Sequence, residues 1–396
     1  NYVNEWWEKW VGVYNESQSE NFVDLEIVPD GDVYAQKLKG AQADGTVPVL
    51  QMKKFGDVTT YASSQMLAPL NELVDAKYFA DLTEATRQAA TYKGQYYAYP
   101  FFVEPCGVLY YRKDYLAAAG LTEPPKTWTQ TIDYAKKLTV RDGNNAITRY
   151  GFELGTGTND LGIQSWQFEY QQGVDLISQD WSRATCNDEQ HTAILQFYKD
   201  LKDQGAVANQ SVSSWYDMAS FYQNKVAMKV CGSWGITQIE QNAPELLESG
   251  NVGVSFVPTQ DGNHECATTS IGGYFLTVDA KALNQKEAAD FIVWLLAEND
   301  EAILEFLEKS SYARFTARNS ISAKLEENAE LQSNEIYRII TEQVMPYAKP
   351  EPRYPFDVRL FFASAIEKVL TGRADIPTAL AECEEGINGY IADEKL

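Results

Sequence analysis

Acid–base catalysis near neutral pH usually recruits histidine, and this 396-residue chain has two, His191 and His264. His191 falls among charged neighbours in a helical stretch and His264 in the polar loop GNHEC, so both are expected as solvated surface groups. Neither stands beside a nucleophile motif. GSWG (232–235) has the wrong spacing for a nucleophile elbow. GTGTNDLG (155–162) lacks the third glycine of a dinucleotide fingerprint at its proper place, and no Walker loop, HExxH or EF-hand loop occurs. The five cysteines, Cys106, Cys186, Cys231, Cys266 and Cys383, have no zinc spacing and do not read as a disulfide framework. No cofactor or metal is implied. What remains is the chemistry of carboxylates and rings. The 56 acidic residues could supply the carboxylate pair that glycoside hydrolysis needs. The 9 tryptophans and 24 tyrosines could supply plates for a flat-faced neutral ligand such as a sugar, although for most single rings core packing is the default reading.

The formal charge of −23 sets the chain against polyanions, so neither nucleic acid nor an anionic membrane surface is an expected partner. No apolar run approaches the ~18 residues of a transmembrane helix. The opening NYVNEWWEKWVGVYNES is amphipathic and has no signal-peptide core. The odd cysteine count leaves at least one thiol unpaired in a monomer.

These residues must be held by a frame, and the length suggests two lobes rather than one core. Residues 4–16 read as a helix with Trp6, Trp7, Trp10, Val11 and Tyr14 on one face. FVDLEIV (22–28) and TVPVLQM (46–52) read as strands around a helix at 33–45. Strands at 93–101 and 107–114 precede a short helix with Asp114 as N-cap, and Thr127 with Gln130 fits a capping box before the next helix. Further strands are expected at 150–155, 225–235, 252–259 and 270–278, with helices at 164–173, 188–205 and 214–224. Beyond 284 the chain is mostly helical, and Pro377 suits a first helical turn. The alternation predicts an α/β protein with mainly parallel sheets. No linker is visible, so the chain should cross between lobes more than once.

Four segments in order resemble the extracellular solute-binding proteins of carbohydrate ABC importers, of the maltose-binding type. The first is KGQYYAYPFFVEPCGVLYYRKDYLAAAGLTEPPKTWTQ (93–130), with Gly94, Pro100, Tyr111, Arg112, Lys113, Asp114, Ala119, Gly120, Leu121, Pro124, Pro125, Thr127 and Trp128 at the family's positions. The others are FYQNKVAMKVCGSWGI (221–236), the run 252–297, and GRADIPTALAECEEGIN (372–388). Three departures stand out. Asn224 replaces the usual glycine, which is tolerable because asparagine also accepts left-handed backbone. Pro48-Val49 replaces Pro-Asp. The family also opens with a strand where this chain opens with a helix, so an upstream segment is expected.

The resemblance implies a type II periplasmic-binding fold, two α/β lobes joined by a hinge with the ligand cleft between them. The expected lobes are 1–114 plus 279–325 and 115–278 plus 326–396. It implies a monomeric receptor, periplasmic or tethered outside the cytoplasmic membrane as a lipoprotein, that delivers an oligosaccharide to ABC transporter permease subunits. Trp234, at the family position that often stacks on sugar, heads the candidate ligand contacts. Trp166, Glu104, Tyr274, Asp57, Asp217, Arg318 and Tyr354 follow. Glu104 is included because a carboxylate in a strand crossover is seldom buried without a partner. Tyr274 is included because Gly272-Gly273 would let a ligand approach the backbone. Two rival readings stay open: a carbohydrate-active enzyme with two carboxylates, and the same fold with a non-sugar ligand.

Overall fold

The structure is a computed structural model that describes residues 2–28, 32–155, 157–205, 207, 212–352 and 354–394. Residues 1–103, 272–329 and 350–353 form one compact α/β unit; 104–271, 330–349 and 354–396 form the other. The chain therefore passes between them five times.

In the first unit the helix Tyr2–Ser17 turns Trp6, Trp7, Trp10, Val11 and Tyr14 into the core. Trp6 stacks on Phe101 at 4.7 Å, meets Phe306 edge-on at 5.5 Å and donates its indole N–H to the carbonyl of Ala302 at 2.7 Å. Burying side chains of this size stabilises by roughly 2–3 kcal/mol each. The strand Leu50–Lys54 runs antiparallel to Ser270–Val278, with Leu50 opposite Val278 and Lys54 opposite Tyr274. Tyr99–Pro105 pairs with Ser270–Val278 as well.

The stretch 21–28 is not a strand. Phe22, Leu25 and Val28 do not keep a period of two, and the Asn15 side chain takes both backbone groups of Val23: its amide donates to the Val23 carbonyl at 2.9 Å and its oxygen accepts the Val23 N–H at 2.8 Å. With those groups satisfied there is less for a ladder to gain, and Phe22 stays 80% exposed.

In the second unit the strand order is Val140–Arg141, Ile147–Glu153, Val226–Cys231, Val108–Arg112, Val252–Ser255. Only the pairing of Ile147–Glu153 with Val226–Cys231 is parallel; the other pairings of this sheet are antiparallel. This corrects the expected mainly parallel sheet. Val108–Arg112 follows directly from Tyr99–Pro105 rather than from a strand–helix crossover, so no crossover geometry imposes a parallel direction on it. Bonded on both sides within this sheet, it belongs to the second unit, whereas a boundary at 114 would have placed it in the first.

The capping box is present as read. Thr127 Oγ1 accepts from the Gln130 N–H at 3.0 Å, and Gln130 Oε1 accepts from the Thr127 N–H at 3.2 Å. Thr127→Ala is expected to lower stability by about 1 kcal/mol, read as a reduced urea midpoint at unchanged slope. Asp114 does not cap its helix, which begins at Lys113. Its carboxylate instead holds both Nε and Nη2 of Arg112, at 2.9 and 2.7 Å. Asn224 adopts φ 62° and accepts from the Tyr115 hydroxyl at 2.9 Å and from Arg112, contacts that a glycine could not make.

The helices Phe356–Leu370 and Ile376–Glu394 pack on Thr158–Gln172 and Glu189–Asp203 and close the core of this unit. His191 is buried there, edge-on to Phe362 at 5.2 Å, with Nδ1 2.7 Å from Asp188. It is not the surface group expected from its charged neighbours, because the helix turns this position inward. Burial holds its pKa below the ordinary value, against the pull of Asp188.

Candidate ligand-binding site

The sequence turns sharply after Val226–Cys231, and Gly232 makes the turn possible. A Cβ on Gly232 would sit 1.9 Å from the Trp234 ring, so the indole folds back over a backbone that only glycine leaves open. Two hydrogen bonds from the Tyr110 hydroxyl, to the carbonyls of Gly232 (2.8 Å) and Ser233 (3.2 Å), fix the turn from below. Trp234 is half-buried and precedes the helix Gly235–Asn242.

A second segment, 213–217, meets it. Trp215 packs edge-on to Trp234 at 5.2 Å and 78°, and Tyr216 edge-on to Trp215 at 6.3 Å and 87°. The Trp234 indole N–H and the Gln238 amide both donate to the Tyr216 carbonyl, at 3.0 and 2.9 Å. Trp215 is buried, whereas Tyr216 is 55% exposed. The result is a rigid aromatic step with one ring held open, the kind of surface that takes an apolar ligand face. Asp217 adjoins it, but its carboxylate accepts the Ala219 N–H at 2.8 Å and so shapes the segment. That local bond holds the segment open, so the helix expected at 214–224 is confined to Ala219–Tyr222.

The segment hangs on a buried ion pair. Glu153 Oε2 accepts from Lys229 Nζ at 2.6 Å, with side chains 3% and 1% exposed. Glu153 Oε1 accepts the backbone N–H groups of Val212 and Ser213, each at 2.8 Å. Lys229 also donates to Ser213 Oγ at 2.7 Å and to the Ser214 carbonyl at 3.0 Å. Asp160 accepts the Trp215 N–H at 3.1 Å. Its pKa is raised chiefly by burial, which outweighs that N–H and the charge of Lys229. None of Glu153, Lys229, Trp215 or Tyr216 was singled out from sequence. The dipeptide Trp215-Tyr216 between serines and Asp217 was the available signal.

Trp166 and Tyr354 are brought together elsewhere in the same unit. Both are buried, and the Arg359 guanidinium lies 3.8 Å from the Trp166 ring and 5.9 Å from that of Tyr354. Arg359 thus covers a face of Trp166. The Tyr354 hydroxyl lies against Asp175 and helps stabilise its charge, though burial still raises the Asp175 pKa. Glu169 is buried in the same region; burial pushes its pKa up to about 8 despite Ser165 and Arg359. Glu104 is buried at the end of Tyr99–Pro105. Its charge reaches Cys231, whose thiol is pushed up to about 12, mainly by burial.

In the first unit, Arg318 is committed to structure: Nε meets Asp81 at 2.9 Å and Nη1 meets Asp300 at 2.7 Å. Tyr274 packs against Phe102 at 5.5 Å. The neighbouring Gly273, at φ 140°, admits the chain's own backbone, since a Cβ there would lie 2.2 Å from the Phe102 carbonyl. Asp57 is exposed in the first turn of Asp57–Ser63. Beside it, and not foreseen, the Lys53 ammonium is buried over the rings of Tyr61 (3.9 Å) and Tyr34 (5.5 Å). Burial lowers its pKa to about 8, with Asp57 and Asp279 opposing. Among the described residues no cluster suited to a metal ion occurs, and no helix is long and apolar enough to cross a membrane.

The second of two α/β units joined by five chain passages thus carries a fixed aromatic step. The chain belongs to the bacterial extracellular solute-binding protein family, whose sequence profile it matches over residues 10–337. A "Probable ABC transporter-binding protein" of Deinococcus radiodurans is 26% identical over 273 residues, 68% of this chain and 62% of that protein. The match thus spans less than two thirds of that relative's length. Among solved structures, a Thermotoga lettingae ABC transporter solute-binding protein bound with alpha-D-tagatose superposes with a TM-score of 0.82 at 25% identity, covering 98% of this chain and 96% of the other. The cyclic alpha-maltosyl-1,6-maltose binding protein of Arthrobacter globiformis gives 0.76 at 25% identity, covering 98% and 95%.

Proposed function

We propose that this chain is an extracytoplasmic receptor for an oligosaccharide, which it hands to the permease of an ABC importer, and that it is not an enzyme. It works as a monomer, periplasmic or anchored as a lipoprotein. The observation that carries the reading is the Trp215–Tyr216–Trp234 step. Pyranose rings present apolar C–H faces and hydroxyl edges, and an open tyrosine braced by two tryptophans offers a plate for the face. The tagatose-bound structure supports a sugar as ligand, and the cyclic alpha-maltosyl-1,6-maltose binding protein supports an oligosaccharide.

Calorimetric titration with a panel of neutral mono- and oligosaccharides tests this, with each mixture then assayed for cleavage. Binding without turnover is the expected result. Silence with every sugar, or turnover of one, overturns it. Trp234→Ala is expected to weaken the best ligand about 10- to 100-fold, equivalent to ~1.4–2.7 kcal/mol. Its far-ultraviolet spectrum should match the parent, so that a lost fold is not read as a lost contact.

A further inference from the structure

Two cysteine sulfurs meet in the core of the second unit. Cys186 Sγ lies 3.3 Å from Cys383 Sγ, and the residues are 0% and 3% exposed. One precedes the helix Glu189–Asp203, the other lies within Ile376–Glu394, and 197 positions separate them in the sequence. The approach is held by more than the thiols. Asn388 on the later helix accepts the Ala184 N–H at 2.8 Å, and Asn187 donates to Glu384 at 2.8 Å, so contacts before and after Cys186 keep the two segments in place. Two other cysteines are turned to backbone instead: Cys106 Sγ points to the Glu104 carbonyl at 3.9 Å and Cys266 Sγ to that of Asn263 at 3.3 Å.

We propose that Cys186 and Cys383 are a disulfide-forming pair, closed in the oxidising compartment where an extracellular binding protein works. The oxidant is a disulfide, either a small one such as oxidised glutathione or that of a thiol oxidase. One cysteine thiolate attacks it and releases the first thiol. The second attacks the mixed disulfide and releases the other. The two electrons reduce the oxidant's S–S bond, and the two protons end on its thiols. Attack requires thiolate, and the Cys383 pKa is raised by its contact with Cys186 and by burial. The bond therefore forms while the chain folds, before the helices shut over the pair. Once formed, it closes a loop containing both later excursions of the chain into the first unit, 272–329 and 350–353.

The inference does not depend on the ligand, and its test uses none. The full chain is refolded from urea in a mixture of reduced and oxidised glutathione, then denatured and alkylated. Three modified cysteines are expected, with one cross-linked peptide pair carrying Cys186 and Cys383. Five modified cysteines, or a cross-link through any other pair, would overturn the proposal. The cross-linked protein is also expected to show a higher urea midpoint than protein refolded with reduced glutathione alone. That difference should vanish in Cys186→Ser/Cys383→Ser, and a difference of the same size there would equally overturn it. If the double variant does not fold, the thiol count still decides.

Discussion

Glu153→Ala is expected to destabilise the second unit by about 3–5 kcal/mol, because it leaves the Lys229 ammonium buried with its counter-charge gone. The same change removes the acceptor for the Val212 and Ser213 N–H groups, so the segment carrying Trp215 and Tyr216 loses its anchor. Ligand affinity should fall with stability although Glu153 need not touch the ligand. Glu153→Gln can keep the Oε1 acceptor and lose only the charge, and should fall between parent and alanine variant. Glu153→Met/Lys229→Met separates the two effects. With both charges gone, much of the stability should return, while the untethered aromatic segment still binds poorly. Urea denaturation and calorimetry on the four proteins check this; an alanine variant as stable as the parent would contradict it.

The second large effect is a pH dependence. Glu169 holds its proton up to about pH 8 in the folded chain, whereas an unfolded glutamate releases it near 4.5. Between those values the folded state binds more protons than the unfolded one. Stability therefore falls as pH rises, by up to ~1.4 kcal/mol per pH unit and several kcal/mol across the window. Below about 4.5 both states are protonated, so the contribution is present in full and no longer varies with pH. Asp160 and Asp175, also raised by burial, act in the same direction. His191 acts in the opposite one: with its pKa lowered, protonation opposes folding and stability falls as pH drops below its ordinary range. Glu169→Gln should remove this fall throughout the window from about 4.5 to 8, flattening the alkaline side and steepening the His191-dependent rise on the acid side. Urea midpoints from pH 4.5 to 8.5 test this, and an unchanged alkaline slope would refute it.

Local signals were legible in the amino-acid order. The Thr127–Gln130 box, the left-handed Asn224, Pro377 in a first turn and the tryptophan face of the opening helix each depend on residues within a few positions of one another. The family segments were legible too, and with them the two-unit α/β class. What failed was set by partners far along the chain. His191 looked solvated beside charged neighbours, but Phe362 covers it from 171 positions away. The pairing of Arg318 with Asp81, 237 positions earlier, has no local sign either. The stretch 22–28 departs from the expected strand because a side chain, Asn15, does the work of a ladder. The glycine bracket marks the turn at Trp234 in the sequence, whereas the buried Glu153–Lys229 pair that holds the neighbouring segment has no local mark.

The indole of Trp6 has a consequence for how the chain is made. Its hydrogen-bond partner, Ala302, lies 296 residues later, and Lys9 and Trp10 reach equally far to Glu305. At synthesis rates of roughly 5–20 residues per second, the opening helix waits about 15–60 s for the surface it packs on. The first unit cannot complete until most of the second has emerged. A unit whose first helix is held by residues 302 and 305 is thereby kept from closing early in synthesis, and its fold locks only late.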